Sequence, residues 1–168
     1  DYIVIGEGEY VFRQLVAYYS GACDLPDRGI CFRKNGTDEL DNRGHAAFIK
    51  NLDTLPKPAY HLIDFLSYAN HSNNRKSVDQ PGGYPYARIV TSRGCPEKCS
   101  FCQVPSLQGS FFRARTPDHV CDEIEWLKKE YGIKALMFDD DNLFTNPKRS
   151  KTLFRRMIER NLSMPWTS

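Results

Sequence analysis

Three of the six cysteines fall within eight residues, Cys95-Pro96-Glu97-Lys98-Cys99-Ser100-Phe101-Cys102, directly after an apolar run at 86–91 that reads as a strand (Ala87, Ile89, Val90). Disulfide frameworks spread their cysteines through small, loop-rich secreted chains. Clustered thiols without a signal segment point instead to metal or redox chemistry in a reducing compartment, so the cytoplasm is the expected location. Thiolates are soft ligands suited to iron–sulfur clusters or zinc. Iron–sulfur clusters usually take four cysteines, so three without an evident fourth suggest a cluster with one open iron. Gly94 lets the backbone turn tightly just before the first thiol. A structural zinc site would need about four ligands, usually as a second pair. Only Cys121 and the scattered His45, His61, His71 and His119 remain for that, and Cys121 sits in an apolar-periodic helix as a core residue.

The length of 168 residues allows one domain or parts of two. With 23 basic and 21 acidic residues, the net charge of +2 gives no electrostatic case for nucleic acid as a dominant partner. No apolar run reaches the roughly 18 residues of a membrane span. The chain opens without an initiator Met in a strand-like run and reads as the middle of a longer protein.

Residues 2–5 read as a short buried strand. Gly6-Glu7-Gly8-Glu9 reads as a turn into a helix of about ten residues whose Phe12, Leu15, Val16 and Tyr19 recur at helical spacing, with Gly21 ending it. Asn35-Gly36 between two extended runs signals a hairpin, because both residues tolerate positive φ. Residues 41–85 read as a connector, proline-broken at 52–58, polar at 70–79 and rich in turn residues at 81–85. From 86 the pattern is strand, loop, helix, strand, helix. Thr116 and Pro117 open one helix, with Val120, Ile124, Leu127 and Tyr131 on its apolar face and Gly132 as its stop. A largely apolar strand at 133–138 suits a parallel sheet covered on both faces. Asn146-Pro147 open a second helix with Leu153, Phe154, Met157 and Ile158 on one side, and 165–167 begin a third strand. This alternation predicts a parallel α/β architecture, whose ligands bind at the C-terminal ends of the strands. The cysteine loop and Asp139-Asp140-Asp141 both lie at such ends.

CxxxCxxC with an aromatic before its last cysteine, after the first strand of an α/β barrel, resembles the signature of radical S-adenosylmethionine (SAM) enzymes. The resemblance implies a 4Fe–4S cluster on Cys95, Cys99 and Cys102, with SAM chelated at its open iron and cleaved by one electron to methionine and a 5′-deoxyadenosyl radical. It places Phe101 beside the adenine and makes Asp139, Asp140 and Asp141 candidates for the SAM ammonium or the substrate. A magnesium site on these hard oxygen ligands is the other use they could have. An acidic turn facing solvent is the plain structural alternative. Arg93, Arg113 and Arg115 flank the motif and could meet a carboxylate or phosphate, or form salt bridges.

The order Ile3-Val4-Ile5-Gly6-Glu7-Gly8-Glu9, then Leu52-Asp53-Thr54-Leu55-Pro56, then the cysteine motif, is similar to that of radical SAM enzymes carrying a Rossmann-like cobalamin-binding domain before the barrel. The resemblance covers nearly the whole chain. It implies the end of the cobalamin domain at 1–40, a linker at 41–85 and a truncated barrel at 86–168, about two βα units and the start of a third. It makes Glu7 and Glu9 candidates for cobalamin contact, although acids also favour a helix N-terminus. The implied function is radical SAM chemistry, with cobalamin-dependent methyl transfer or cyclisation of a small metabolite, fed by an electron donor such as flavodoxin or ferredoxin. The alternatives are a methylthiotransferase acting on tRNA or protein, whose second cluster Cys23 and Cys31 do not supply, and a zinc-binding interaction module.

Overall fold

Local signals are strongest between 116 and 159, and the computed structural model, which describes residues 1–70 and 83–168, follows them. The Thr116 hydroxyl accepts from the His119 N–H and so satisfies one of the free amides opening helix α4 (Pro117–Tyr131). Pro117 sits where a missing N–H costs nothing, and Gly132, with φ of 63°, ends the helix. Helix α5 (Pro147–Glu159) opens in the same way, with the Asn146 side chain accepting from the Arg149 N–H.

Strand β7 (Ala135–Phe138) pairs in parallel with both β4 (Tyr86–Ile89) and β8 (Trp166–Thr167), giving the order β4-β7-β8. Ala87, Ile89, Leu136 and Phe138 form the core with Val120, Ile124 and Leu127 of α4 and Leu153 and Met157 of α5. Side chains alternate along a strand, so Arg88 and its register partner Met137 lie on the opposite face. That face is only partly covered, where the sequence suggested cover on both sides. Cys121 is fully buried, as expected of a core residue. Ile158, assigned to the apolar side of α5, is 67% exposed. Leu153 and Met157, four residues apart, take the sheet-facing stripe, and the next residue is turned about 100° away from it.

The N-terminal unit is an antiparallel sheet of β1 (Tyr2–Val4), β2 (Ile30–Arg33) and β3 (Leu40–Asn42). Strand β1, expected to be buried, is an edge strand whose Ile3 is 65% exposed. The hairpin at Asn35-Gly36 is present, but only Gly36 has positive φ, at 78°. The Thr37 N–H donates to the Lys34 carbonyl at 3.2 Å, so the glycine takes the third turn position, where positive φ is needed. Helix α1 (Glu9–Tyr19) ends with Gly21 left-handed, its N–H on the Tyr18 carbonyl and the Ala22 N–H on that of Ala17. Of its periodic apolar residues only Leu15 is buried; Phe12, Val16 and Tyr19 are exposed. Periodicity marks an apolar face, whereas burial depends on what packs against it.

The stretch read as a connector carries structure of its own. It has 3-10 turns at Leu52–Thr54 and Tyr60–Leu62 and the short helix α2 (Phe65–Asn70). Leu52, Phe65 and Ala69 are buried, the last two within the core. Tyr60 stacks on Trp126 of α4 with ring centroids 6.0 Å apart, and its hydroxyl donates to the Arg88 carbonyl at 3.4 Å. Arg115 donates to the Val90 carbonyl at 3.1 Å. The outer side of β4, which has no strand neighbour among the described residues, thereby has side chains on two of its carbonyls. Of the polar and turn-rich readings at 70–85, those at 71–82 lie outside the described residues. Among the described residues no helix is long and apolar enough to cross a membrane.

Candidate functional site: the cysteine loop

All three clustered cysteines lie on one loop, residues 94–112, at the C-terminal end of β4. Its base is closed by a two-residue antiparallel ladder between β5 (Ser92–Arg93) and β6 (Arg113–Ala114), in register Ser92 with Ala114 and Arg93 with Arg113. Gly94 has φ of 78°, and a Cβ built there would lie 2.4 Å from the Phe111 carbonyl oxygen and 3.0 Å from that of Gly109. The returning leg of the loop therefore passes where any side chain at 94 would sit. A turn closed by the Cys102 N–H on the Cys99 carbonyl at 3.1 Å puts the last two cysteines together, ahead of the short helix α3 (Val104–Leu107). Cys99 is exposed and Cys95 and Cys102 are half-buried. Phe101, between the last two cysteines, is 89% exposed. Among the described residues no three His, Cys, Asp or Glu side chains stand together as a metal-ligand group.

The three aspartates after β7 face this loop or its neighbouring strand. The Asp139 N–H donates to the Ile89 carbonyl at 2.9 Å, and its carboxylate takes both Nε and NH2 of Arg88, at 2.6 and 3.0 Å. Asp140 accepts from the Thr91 N–H at 3.1 Å, from the Thr91 hydroxyl at 3.0 Å and from the Ser92 hydroxyl. Burial pushes the Asp140 carboxyl up; those hydrogen bonds and the charge of Arg149 pull it down, and the net direction is upward. Asp141 accepts from the Gly94 N–H at 2.9 Å. In place of the solvated acidic turn that the sequence allowed, Asp140 and Asp141 grip the stem of the cysteine loop and Asp139 holds Arg88 of β4. Thr91 and Ser92 went unnoticed in the sequence because nothing local marks a hydroxyl as the partner of an acid almost fifty residues away.

Glu7 and Glu9 also face the loop. Glu7 is buried, with Arg113 NH1 at 2.7 and 2.9 Å from its two oxygens and Arg93 at 3.3 Å. Glu9 pairs with Arg93. Burial pushes Glu9 up, but the hydrogen bond and charge of Arg93 outweigh it, and the carboxyl lies below its ordinary range. Arg93 and Arg113, read as anion binders or salt-bridge formers, form salt bridges here, as Arg115 does with Glu123 at 2.5 Å. His119 Nδ1 accepts from Arg115 Nε at 3.0 Å and lies 3.2 Å from an Asp53 carboxylate oxygen. A groove of roughly 910 Å³ runs beside the outer edge of β4, between α1 (Tyr10, Phe12, Arg13) and the 55–60 segment, and reaches Arg88 and Arg93.

A loop carrying three thiols at the C-terminal end of the first strand of a parallel α/β sheet lies where folds of this class bind their ligands. Residues 89–165 match the model of the radical SAM superfamily, and that part of the chain belongs to it. The chain's fold is α/β, an antiparallel sheet at 2–42 followed by the parallel sheet β4-β7-β8. Over 100% of its length it is 32% identical to an uncharacterized methyltransferase of Pyrococcus horikoshii, covering 34% of that protein. Over 98% it is 28% identical to the anaerobic magnesium-protoporphyrin IX monomethyl ester cyclase of Synechocystis, covering 30% of that protein. Among solved structures, 96% of the chain superposes with a TM-score of 0.63 and 22% identity on 30% of TsrM from Kitasatospora setae, a radical SAM methyltransferase solved with cobalamin and a [4Fe-4S] cluster. The chain thus spans about a third of the length of these proteins.

Proposed function

We propose that this chain is the cluster-binding part of a radical SAM enzyme, holding a 4Fe–4S cluster on Cys95, Cys99 and Cys102. The observation that carries the reading is the placement of three thiols on one closed loop at the mouth of a parallel sheet, inside the region that matches the superfamily. The donor set fits the group: three soft ligands leave one iron for SAM. Ligand thiols must lose their protons as the metal enters, and sites of this kind complete their geometry on loading. When bound, the cluster and SAM supply reductive cleavage of the sulfonium to methionine and a 5′-deoxyadenosyl radical. The chain's own residues hold and shield these groups. Asp140 and Asp141 fix the loop stem, and Phe101 offers an exposed ring to the adenine. Asp139, tied to Arg88 on the partly covered sheet face, would share its charge with an ammonium or a substrate.

The reaction we propose is cobalamin-dependent methyl transfer or cyclisation on a small molecule, with an electron donor such as flavodoxin or ferredoxin. Support comes from relatives named as a methyltransferase and a cyclase and from the cobalamin bound in TsrM. The test is anaerobic reconstitution of the full-length protein. We expect about four irons and four sulfides per chain, a SAM-dependent change in the spectrum of the reduced cluster, and loss of both in Cys99→Ala. Stoichiometric zinc without sulfide, or a Cys99→Ala protein that still cleaves SAM, would overturn the reading.

A further inference from the structure

The two legs of the cysteine loop are held by acids from the other end of the chain. Glu7 reaches both legs, through Arg113 on β6 at 2.7 Å and Arg93 on β5 at 3.3 Å, and Glu9 takes Arg93 a second time. The Glu7 and Arg113 side chains are only 6% and 4% exposed. A buried pair of this kind tolerates no vacancy, because loss of one partner leaves a charge uncompensated. Two carboxylates and two guanidinium groups leave the cluster neutral. Arg113 has further anchors, donating to the Ile49 carbonyl at 2.9 Å and the Gln108 carbonyl at 2.6 Å, with the rings of Phe48 and Phe111 4.9 and 5.1 Å from its guanidinium carbon. The second Glu7 oxygen accepts from the Ile49 N–H at 2.5 Å. The Gly-Glu-Gly-Glu turn, the connecting segment and both legs of the loop therefore meet at one point, and Arg93 lies two residues before Cys95.

We infer that Glu7 and Glu9 are positioning residues for the cysteine loop, setting through Arg113 and Arg93 the place from which the thiols, and SAM on the fourth iron, are presented. The inference rests on the cluster reading above. It gives the N-terminal unit a direct hold on the radical-generating centre, since any shift of the turn after β1 moves the loop base. Residues that orient metal ligands without touching the metal typically change affinity or activity by about 10- to 100-fold when replaced.

The experiment uses the full-length protein, reconstituted anaerobically, as wild type, Glu7→Gln, Glu9→Gln and Arg113→Lys. Iron and sulfide content, SAM affinity and the electron paramagnetic resonance spectrum of the reduced cluster with and without SAM are compared. We expect Glu9→Gln to load iron as wild type does while binding SAM about tenfold more weakly with an altered SAM-bound spectrum. Glu7→Gln should show the same with a larger loss, and Arg113→Lys should recover part of it. If Glu7→Gln does not fold, Glu9→Gln decides, since its carboxylate is partly exposed and serves a single arginine. Variants that lose thermal stability but keep wild-type SAM affinity and spectra would show a merely structural role and overturn the inference. Wild-type protein that takes up no iron would instead overturn the cluster reading, and the inference with it.

Discussion

The Asp141 carboxylate accepts a hydrogen bond from the Gly94 N–H at 2.9 Å, so the end of the second parallel strand holds the residue immediately before Cys95. The bond is part-buried, and a donor stripped of its acceptor there costs about 1–3 kcal/mol. Asp141→Ala should lower stability by that amount and raise hydrogen exchange at the Gly94 amide. Asp141→Asn keeps an acceptor and should stay close to wild type on both measures. Equal losses in the two variants would mean that the charge, not the hydrogen bond, matters.

Gly94 itself should tolerate no side chain. Left-handed φ in a residue with a Cβ costs about 1–2 kcal/mol, and the 2.4 Å approach to the Phe111 carbonyl adds overpacking on top. Denaturant unfolding of Gly94→Ala should show a loss of about 3 kcal/mol or more, or no folded protein at all. Gly36 has the same φ of 78° with nothing within 4 Å of its missing Cβ, so Gly36→Ala should lose only about 1–2 kcal/mol.

The Glu9–Arg93 contact should have an acid limit. The Glu9 carboxyl lies below its ordinary value in the folded state, so its contribution is present above the unfolded value and disappears as pH falls through the folded one. Wild type should be more stable than Glu9→Gln at neutral pH, and the gap should close below about pH 4.3. Asp140, shifted upward, contributes in the opposite sense, but equally in both proteins, so it cancels from the difference. A gap that widens on acidification would contradict the assignment.

The thiols should sort by burial. Cys121 is fully buried, and burial pushes its thiol up, whereas Cys23 and Cys99 are exposed. Brief alkylation of the cluster-free folded protein, read by peptide mass spectrometry, should mark Cys23 and Cys99 first and leave Cys31 and Cys121 unmodified until denaturant is added. Early modification of Cys121 would mean that α4 does not pack as described.

Much of the barrel portion was legible in the sequence because its signals are local. Thr116, Pro117 and Gly132 announce α4 within one turn of each end, and Asn146-Pro147 does the same for α5. The ties around the cysteine loop were not legible. Glu7 finds Arg113 across 106 positions, and acids such as Glu7 and Asp140 reveal in sequence only that they want a partner, not which one. The ladder Ser92–Arg93 with Arg113–Ala114 is too short for any alternation to register. For α1 the helical spacing was legible, but spacing says nothing of what packs against the face, and Phe12, Val16 and Tyr19 meet solvent in this chain.

The hydroxyl of Tyr60 and the guanidinium of Arg115 occupy the outward carbonyls of Arg88 and Val90, where a neighbouring strand would otherwise dock. A stray extended peptide or a second copy seeking to zip onto β4 meets carbonyls that already hold a donor.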